Sequence, residues 1–225
     1  MSDLDSLKVV LIGESGTGKT SIIRRFAYRL FDEDCTSSIS SQYTSKIIEI
    51  KDINTSLKFD IWDTAGQEKF RSMTKIFYKD AKIILFVYDI TYKKSFDELK
   101  NYWISQVQEH CNSDVLLGIV ANKNDLYINQ QVTKEEGLEL AEKIGAIYQI
   151  TSAKSGFGIN NLFENIGRKY IDPKFDYQEA DRIAEENYNK KKKELEEAKK
   201  KKEKRRGVKL DVQNNKKKRK MLLIY

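Results

Sequence analysis

The chain has 225 residues, 33% of them charged, with 41 Lys+Arg against 34 Asp+Glu and a net charge of +7. That length suffices for one sizeable core, or for one domain followed by a tail. A single histidine (His110) and two distant cysteines (Cys35 and Cys111) leave no set of ligands for a His-based zinc site, and suit a reduced, cytosolic chain.

The first apolar run, residues 7–12, reads as a buried strand. It leads into G-E-S-G-T-G-K-T at Gly13, Glu14, Ser15, Gly16, Thr17, Gly18, Lys19 and Thr20, and a helical stretch over 19–30 follows, opening Lys19-Thr20-Ser21. A glycine-rich turn between strand and helix aims backbone N–H groups inward as a nest for phosphate oxygens, and the helix adds its positive dipole end. Lys19 would reach the β- and γ-phosphates, and the Thr20 hydroxyl would ligate Mg²⁺. The motif predicts nucleotide binding. Phe31, just past this helix, either sets an aromatic edge against the base or packs into the core.

Strands at 46–50 and 57–62 are separated by a few polar residues, which predicts an antiparallel hairpin. The second ends in Asp63-Thr64-Ala65-Gly66-Gln67-Glu68. Asp63 can hold Mg²⁺ through water, Gly66 lets its N–H approach the γ-phosphate, and Gln67 can orient the attacking water without a pKa near neutrality. A short helix near 70–79, a strand over 83–89 and a helix over 94–110 come next. The strand over 115–121 ends in Asn122-Lys123-Asn124-Asp125. A carboxylate at Asp125 accepts from N1–H and the 2-amino group of guanine, and adenine offers neither donor. Lys123 can lie along the base plane, and Asn122 can tie this loop to the phosphate loop. A helix over 134–144 and a strand over 146–150 lead to Thr151-Ser152-Ala153-Lys154, where the Ala153 N–H can meet the guanine O6. A last helix spans 159–169. Apolar strands alternating with helices predict an α/β fold: six strands, mostly parallel with one antiparallel, helices on both faces, and ligands beyond the strands' carboxyl ends.

Residues 1–175 carry 23 Lys+Arg and 24 Asp+Glu, whereas residues 176–225 carry 18 and 10. The basic balance therefore belongs to a tail over 176–225, which follows a domain over 1–175. The sole proline, Pro173, stands at this border, as expected where a final helix stops. Residues 176–206 are rich in Glu, Lys and Ala with few apolar positions, and predict a solvated single helix or disorder. The cluster Lys216-Lys217-Lys218-Arg219-Lys220 suits an anionic membrane surface, with nucleic acid as the less favoured partner. No secretory signal precedes Leu7, and the longest apolar stretch, residues 83–88, is far too short to span a bilayer.

Four motifs in this order resemble the small GTPases of the Ras superfamily across residues 7–170. Residues 58–62 (K-F-D-I-W), 69–74 (K-F-R-S-M-T), 77–81 (F-Y-K-D-A) and 87–91 (V-Y-D-I-T) resemble the Rab branch in particular. The resemblance implies the P-loop GTPase fold, GTP/GDP and Mg²⁺ as ligands, slow hydrolysis with Gln67 as the catalytic residue, and a switch role in vesicle traffic. It further implies an exchange factor, a GTPase-activating protein and effectors on the switch segments, with residence on the cytosolic face of an endomembrane. By the family pattern, Gly13 to Ser21, Phe31, Asp63, Gly66, Asn122, Lys123, Asp125, Ser152, Ala153 and Lys154 touch the nucleotide. Thr20, Ser38 and Asp63 would hold the metal.

Ser38 stands where the family has threonine, which predicts a less tightly ordered GTP-bound first switch because the rotamer-restraining methyl is lost. The family's prenylated cysteines have no counterpart after Cys111, so weak, reversible attachment through basic and apolar residues is the expectation for the sequence as it stands, unless the functional C-terminus is another. Two rivals are a guanine-nucleotide-binding scaffold that does not hydrolyse and a Ras-type GTPase outside the Rab branch. An ATP-using phosphotransferase is disfavoured by Asp125.

Overall fold

A computed structural model describes residues 6–33, 42–50, 53–64, 76–183, 186–187 and 189–190. The elements run β1 (Ser6–Ile12), α1 (Lys19–Tyr28), β2 (Gln42–Ile50), β3 (Thr55–Asp63) and β4 (Ile83–Asp89). Next comes α2, built of Lys93–Glu98, a π turn over Leu99–Trp103 and Ile104–His110. The chain continues through β5 (Leu116–Asn122), a 3-10 segment (Asn124–Asn129), α3 (Lys134–Ile144), β6 (Ile147–Ile150) and α4 (Ile159–Ile171).

The strands form one sheet in the order β2-β3-β1-β4-β5-β6, in which only β2 runs antiparallel, paired along its length with β3. Strict alternation along the strands splits the core in two. Val9, Leu11, Ile83, Leu85 and Val87 face Ile22 and Phe26 of α1 and Leu162, Phe163 and Ile166 of α4. Val10, Ile12, Ile84, Phe86 and Tyr88 face Leu99, Trp103 and Val107 of α2 and Leu140 of α3. A sheet buried on both faces needs such continuous apolar strands, which is why β4 has no exposed position. On the first face Phe26 stacks on Phe163, with ring centroids 3.6 Å apart. The α3 helix opens with a capping box, Thr133 accepting from the Glu136 N–H while Glu136 accepts from the Thr133 N–H.

Register fixes where the loops emerge. Val9 lies opposite Ile61 of β3 on one side and Ile83 of β4 on the other. Chain connections therefore diverge on either side of β1, and the loop after it opens into the crevice that such sheets use for ligands.

Two elements differ from the sequence reading. β2 begins at Gln42 rather than residue 46, because backbone pairing to β3 extends the edge strand through residues with no apolar alternation. The expected helix over 94–110 contains the π turn, which leaves its apolar stripe at Phe96, Leu99, Trp103 and Val107 unaltered and so has no signature in the periodicity. The expected helix near 70–79 lies mostly outside the described residues.

The chain divides into two units between Asp181 and Arg182. In the first, residues 177–181 are helical, Tyr177 packs against the core on the α1/α4 face, and Asp181 accepts from the buried Gln149 amide. In the second, Arg182 pairs with Glu186 at 2.7 Å. The expected tail lies largely outside the described residues, the basic cluster over 216–220 included. Among the described residues no helix is long and apolar enough to cross a membrane.

Candidate functional site

The loop after β1 depends on glycine where the chain approaches other backbone. Gly13 has φ 142°, and a Cβ there would sit 2.2 Å from the Val87 carbonyl oxygen at the end of β4. Gly18 has φ 94°, and a Cβ there would meet the Asn122 amide at 2.4 Å. Gly13→Ala is expected to destabilise the domain by at least about 2 kcal/mol and lower Tm by about 4–8 °C. A melting curve coincident with wild type would show that the loop is not held this tightly.

Lys19 leads α1 and folds back over the loop. Its Nζ donates to the carbonyls of Gly13 and Glu14, both at 2.8 Å. Burial pushes the ammonium down to about 8, opposed by the charges of Asp63 and Glu14. A buried cation hydrogen-bonded to two neutral carbonyls is a strong attractor for phosphate oxygens. Thr17 Oγ1 donates to the Glu14 carbonyl at 2.9 Å and closes the turn.

At the end of β3, Asp63 is buried and its Oδ2 accepts from Thr20 Oγ1 at 2.5 Å. A carboxylate and a hydroxyl side by side, next to the lysine, form the hard oxygen donor set that suits Mg²⁺ with its retained waters. Thr64, also buried, anchors the strand end by donating to the Leu11 carbonyl at 2.7 Å.

The ends of β5 and β6 complete the wall. Asn122 is buried and its Nδ2 donates to the Thr17 carbonyl at 2.8 Å. Its Oδ1 accepts from Thr151 Oγ1 at 3.1 Å and from the Ala153 N–H at 3.3 Å. One side chain thus ties three loops together, as the sequence reading expected for the phosphate loop. The Ala153 N–H, expected to face a base oxygen, here makes this long bond to Asn122. Lys123 has φ 67° and pairs with Asp89 of β4 at 2.7 Å. Asp125 is oriented by Ser152, whose hydroxyl donates to Oδ1 at 2.6 Å.

Asp63 borders a cavity together with Thr20 and Arg24. The loops around Lys19 and Asn122 line another, of about 390 Å³. Its lining includes Ser15, Gly16, Gly18, Lys19, Thr20, Ser21, Phe31, Asn122, Lys123, Asp125, Ala153 and Lys154. Phe31 borders the cavity and also packs against the core. Ser38, Gly66 and Gln67 lie outside the described residues.

The structure also adds contacts that no motif announced. Arg25 of α1 donates through Nε to the Ala153 carbonyl at 2.7 Å and through Nη2 to the Lys154 carbonyl at 2.8 Å, fixing the β6 loop over the cavity. Lys154 pairs with Glu33 at 2.5 Å across the mouth. On the β2–β3 face, Tyr43, Trp62 and Phe77 form an aromatic row with centroids 5.3 and 5.6 Å apart, and Tyr43 is 52% exposed.

The sequence model described as the Ras family matches residues 8–172. The chain is 41% identical over 161 residues to Ras-related protein Rab-8A of Pongo abelii and of Bos taurus, a stretch covering 72% of this chain and 76% of each relative. It is 42% identical over 161 residues, with the same coverage, to Ras-related protein Rab-8B of Homo sapiens.

Proposed function

Because the chain belongs to the Ras family of small GTPases, in its Rab branch, we propose that its cleft binds GTP and GDP with Mg²⁺ and that the protein works as a switch in vesicle traffic. The observation that carries this reading is the convergence of Lys19, Thr20, Asn122 and Asp125 on one cavity, with Asp63 held against its edge by the Thr20 hydroxyl. The scaffold and non-Rab alternatives find no comparable support.

Each residue then has a distinct task. Loop N–H groups and Lys19 bind the phosphates, while Asp125, oriented by Ser152, accepts from the guanine edge. Thr20, Asp63 and Ser38 would hold Mg²⁺, which when bound neutralises charge developing on the phosphates. Gln67 orients the attacking water, and Gly66 brings its N–H to the terminal phosphate. Intrinsic turnover is slow on this reading, and an activating protein raises it.

The exchange factor, activating protein and effectors are assigned to the switch segments, and the row of exposed Tyr43 with half-buried Trp62 and Phe77 offers effectors a further aromatic contact. The basic residues over 216–220 are assigned to an anionic membrane surface on the cytosolic side.

Equilibrium competition tests the reading: GDP should displace a bound fluorescent guanine nucleotide and ADP should not. Displacement by both would remove Asp125 as the base-reading residue. Gln67→Leu is expected to slow hydrolysis by at least about tenfold while GTP affinity holds. An unchanged single-turnover rate would take Gln67 out of the mechanism.

A further inference from the structure

Trp103 carries a polar contact that core packing does not require. Its ring is fully buried in the α2 face, yet its indole N–H donates to Glu14 Oε1 at 3.2 Å, inside the phosphate loop. The backbone carbonyl of that same Glu14 accepts from Lys19 Nζ and from Thr17 Oγ1. Glu14 is thus gripped on two sides, its side chain by α2 and its carbonyl by the residues that form the nest.

The helix is shaped at this point. Trp103 closes the π turn, in which the Ile104 N–H reaches back to the Leu99 carbonyl. Such a turn is less favourable than α-helix, and helices keep one where side-chain placement at a functional site demands it. A phenyl ring would fill most of the same apolar space, whereas only the indole brings a donor to the loop. Glu14 is also an electrostatic hazard. Its charge already acts on the Lys19 ammonium, and a carboxylate swung into the nest would compete with phosphate for that cation.

We propose that Trp103 is a positioning residue for the phosphate loop. Its N–H holds the Glu14 carboxylate against α2 and out of the nest, and so fixes the Glu14 carbonyl that orients Lys19. The inference rests on the nucleotide-binding reading above, and it makes nucleotide retention depend on α2, an element that does not touch the cavity.

The test is the release rate of fluorescently labelled GDP from wild type, Trp103→Phe, Glu14→Ala and the double variant. Trp103→Phe should release about tenfold faster, the scale of one lost hydrogen bond to a charged acceptor. With Glu14→Ala already present, the same change should alter release less than about twofold. Equal acceleration in both backgrounds, or none in either, would reduce Trp103 to a packing residue. A second reading covers the case in which Trp103→Phe does not fold. The chain has two tryptophans, so Trp62→Phe leaves Trp103 as the only indole emitter. Its emission should shift when Glu14→Ala removes the acceptor, and an unshifted spectrum would overturn the contact. A wild-type chain that fails to retain labelled GDP would instead overturn the nucleotide reading itself.

Discussion

Lys19→Met is expected to weaken GTP and GDP binding by about 10²–10³-fold, the scale of two lost charge-assisted hydrogen bonds. The methionine keeps an apolar stem in the buried space at the head of α1 but supplies no donor to the phosphates. Folding should not suffer in proportion. Burial already disfavours the ammonium enough to lower it to about 8, so a neutral side chain relieves a desolvation cost as it gives up two bonds to carbonyls. Lost affinity with Tm unchanged within about 2 °C in the nucleotide-free protein is the expected pair of results. Affinity preserved to within about threefold would mean that the phosphates bind elsewhere.

Asp125→Asn is expected to weaken GDP binding by about 100-fold and to favour XDP over GDP. The carboxylate offers two acceptors to the two donors on the guanine edge. The amide replaces one acceptor with a donor, which faces the guanine 2-amino group and repels it, whereas the xanthine 2-oxo group accepts from it. Ser152 helps set which way the new side chain turns, because its hydroxyl donates to the Oδ1 position and holds an oxygen there. Competition between GDP and XDP for the variant reads the outcome directly. Preference for GDP retained at full strength would show that the base does not meet this side chain.

The sequence announces the parts of the cleft that are built locally. Gly13 and Gly18 take up positive φ within the loop itself, so G-E-S-G-T-G-K-T could be read directly, although the groups that crowd them, Val87 and Asn122, come from distant strands. Asp63 and Asn122 end strands whose apolar runs are unmistakable, and Asp125 follows in the 3-10 segment that opens directly after β5. The residues that were not legible act across long sequence distances. Arg25 reaches carbonyls 128 and 129 positions away, and nothing distinguishes it from a solvated helical arginine until α1 and the β6 loop are folded together. Trp103 is a core residue by periodicity, and its contact with Glu14 spans 89 positions. Asp89 sits at the end of an entirely buried strand, and its pairing with Lys123 depends on β4 and β5 lying side by side. The early start of β2 is of the same kind, since its first residues are strand only because β3 is there to pair with them.

Single-turnover hydrolysis tests the central claim most directly: the purified chain loaded with GTP, and separately with ATP, followed for phosphate release with and without Mg²⁺. The account predicts slow release from GTP on the order of 10⁻⁴ to 10⁻³ s⁻¹, dependent on Mg²⁺, and none above background from ATP. GTP retained intact with Mg²⁺ present, or ATP hydrolysed in its place, would contradict it.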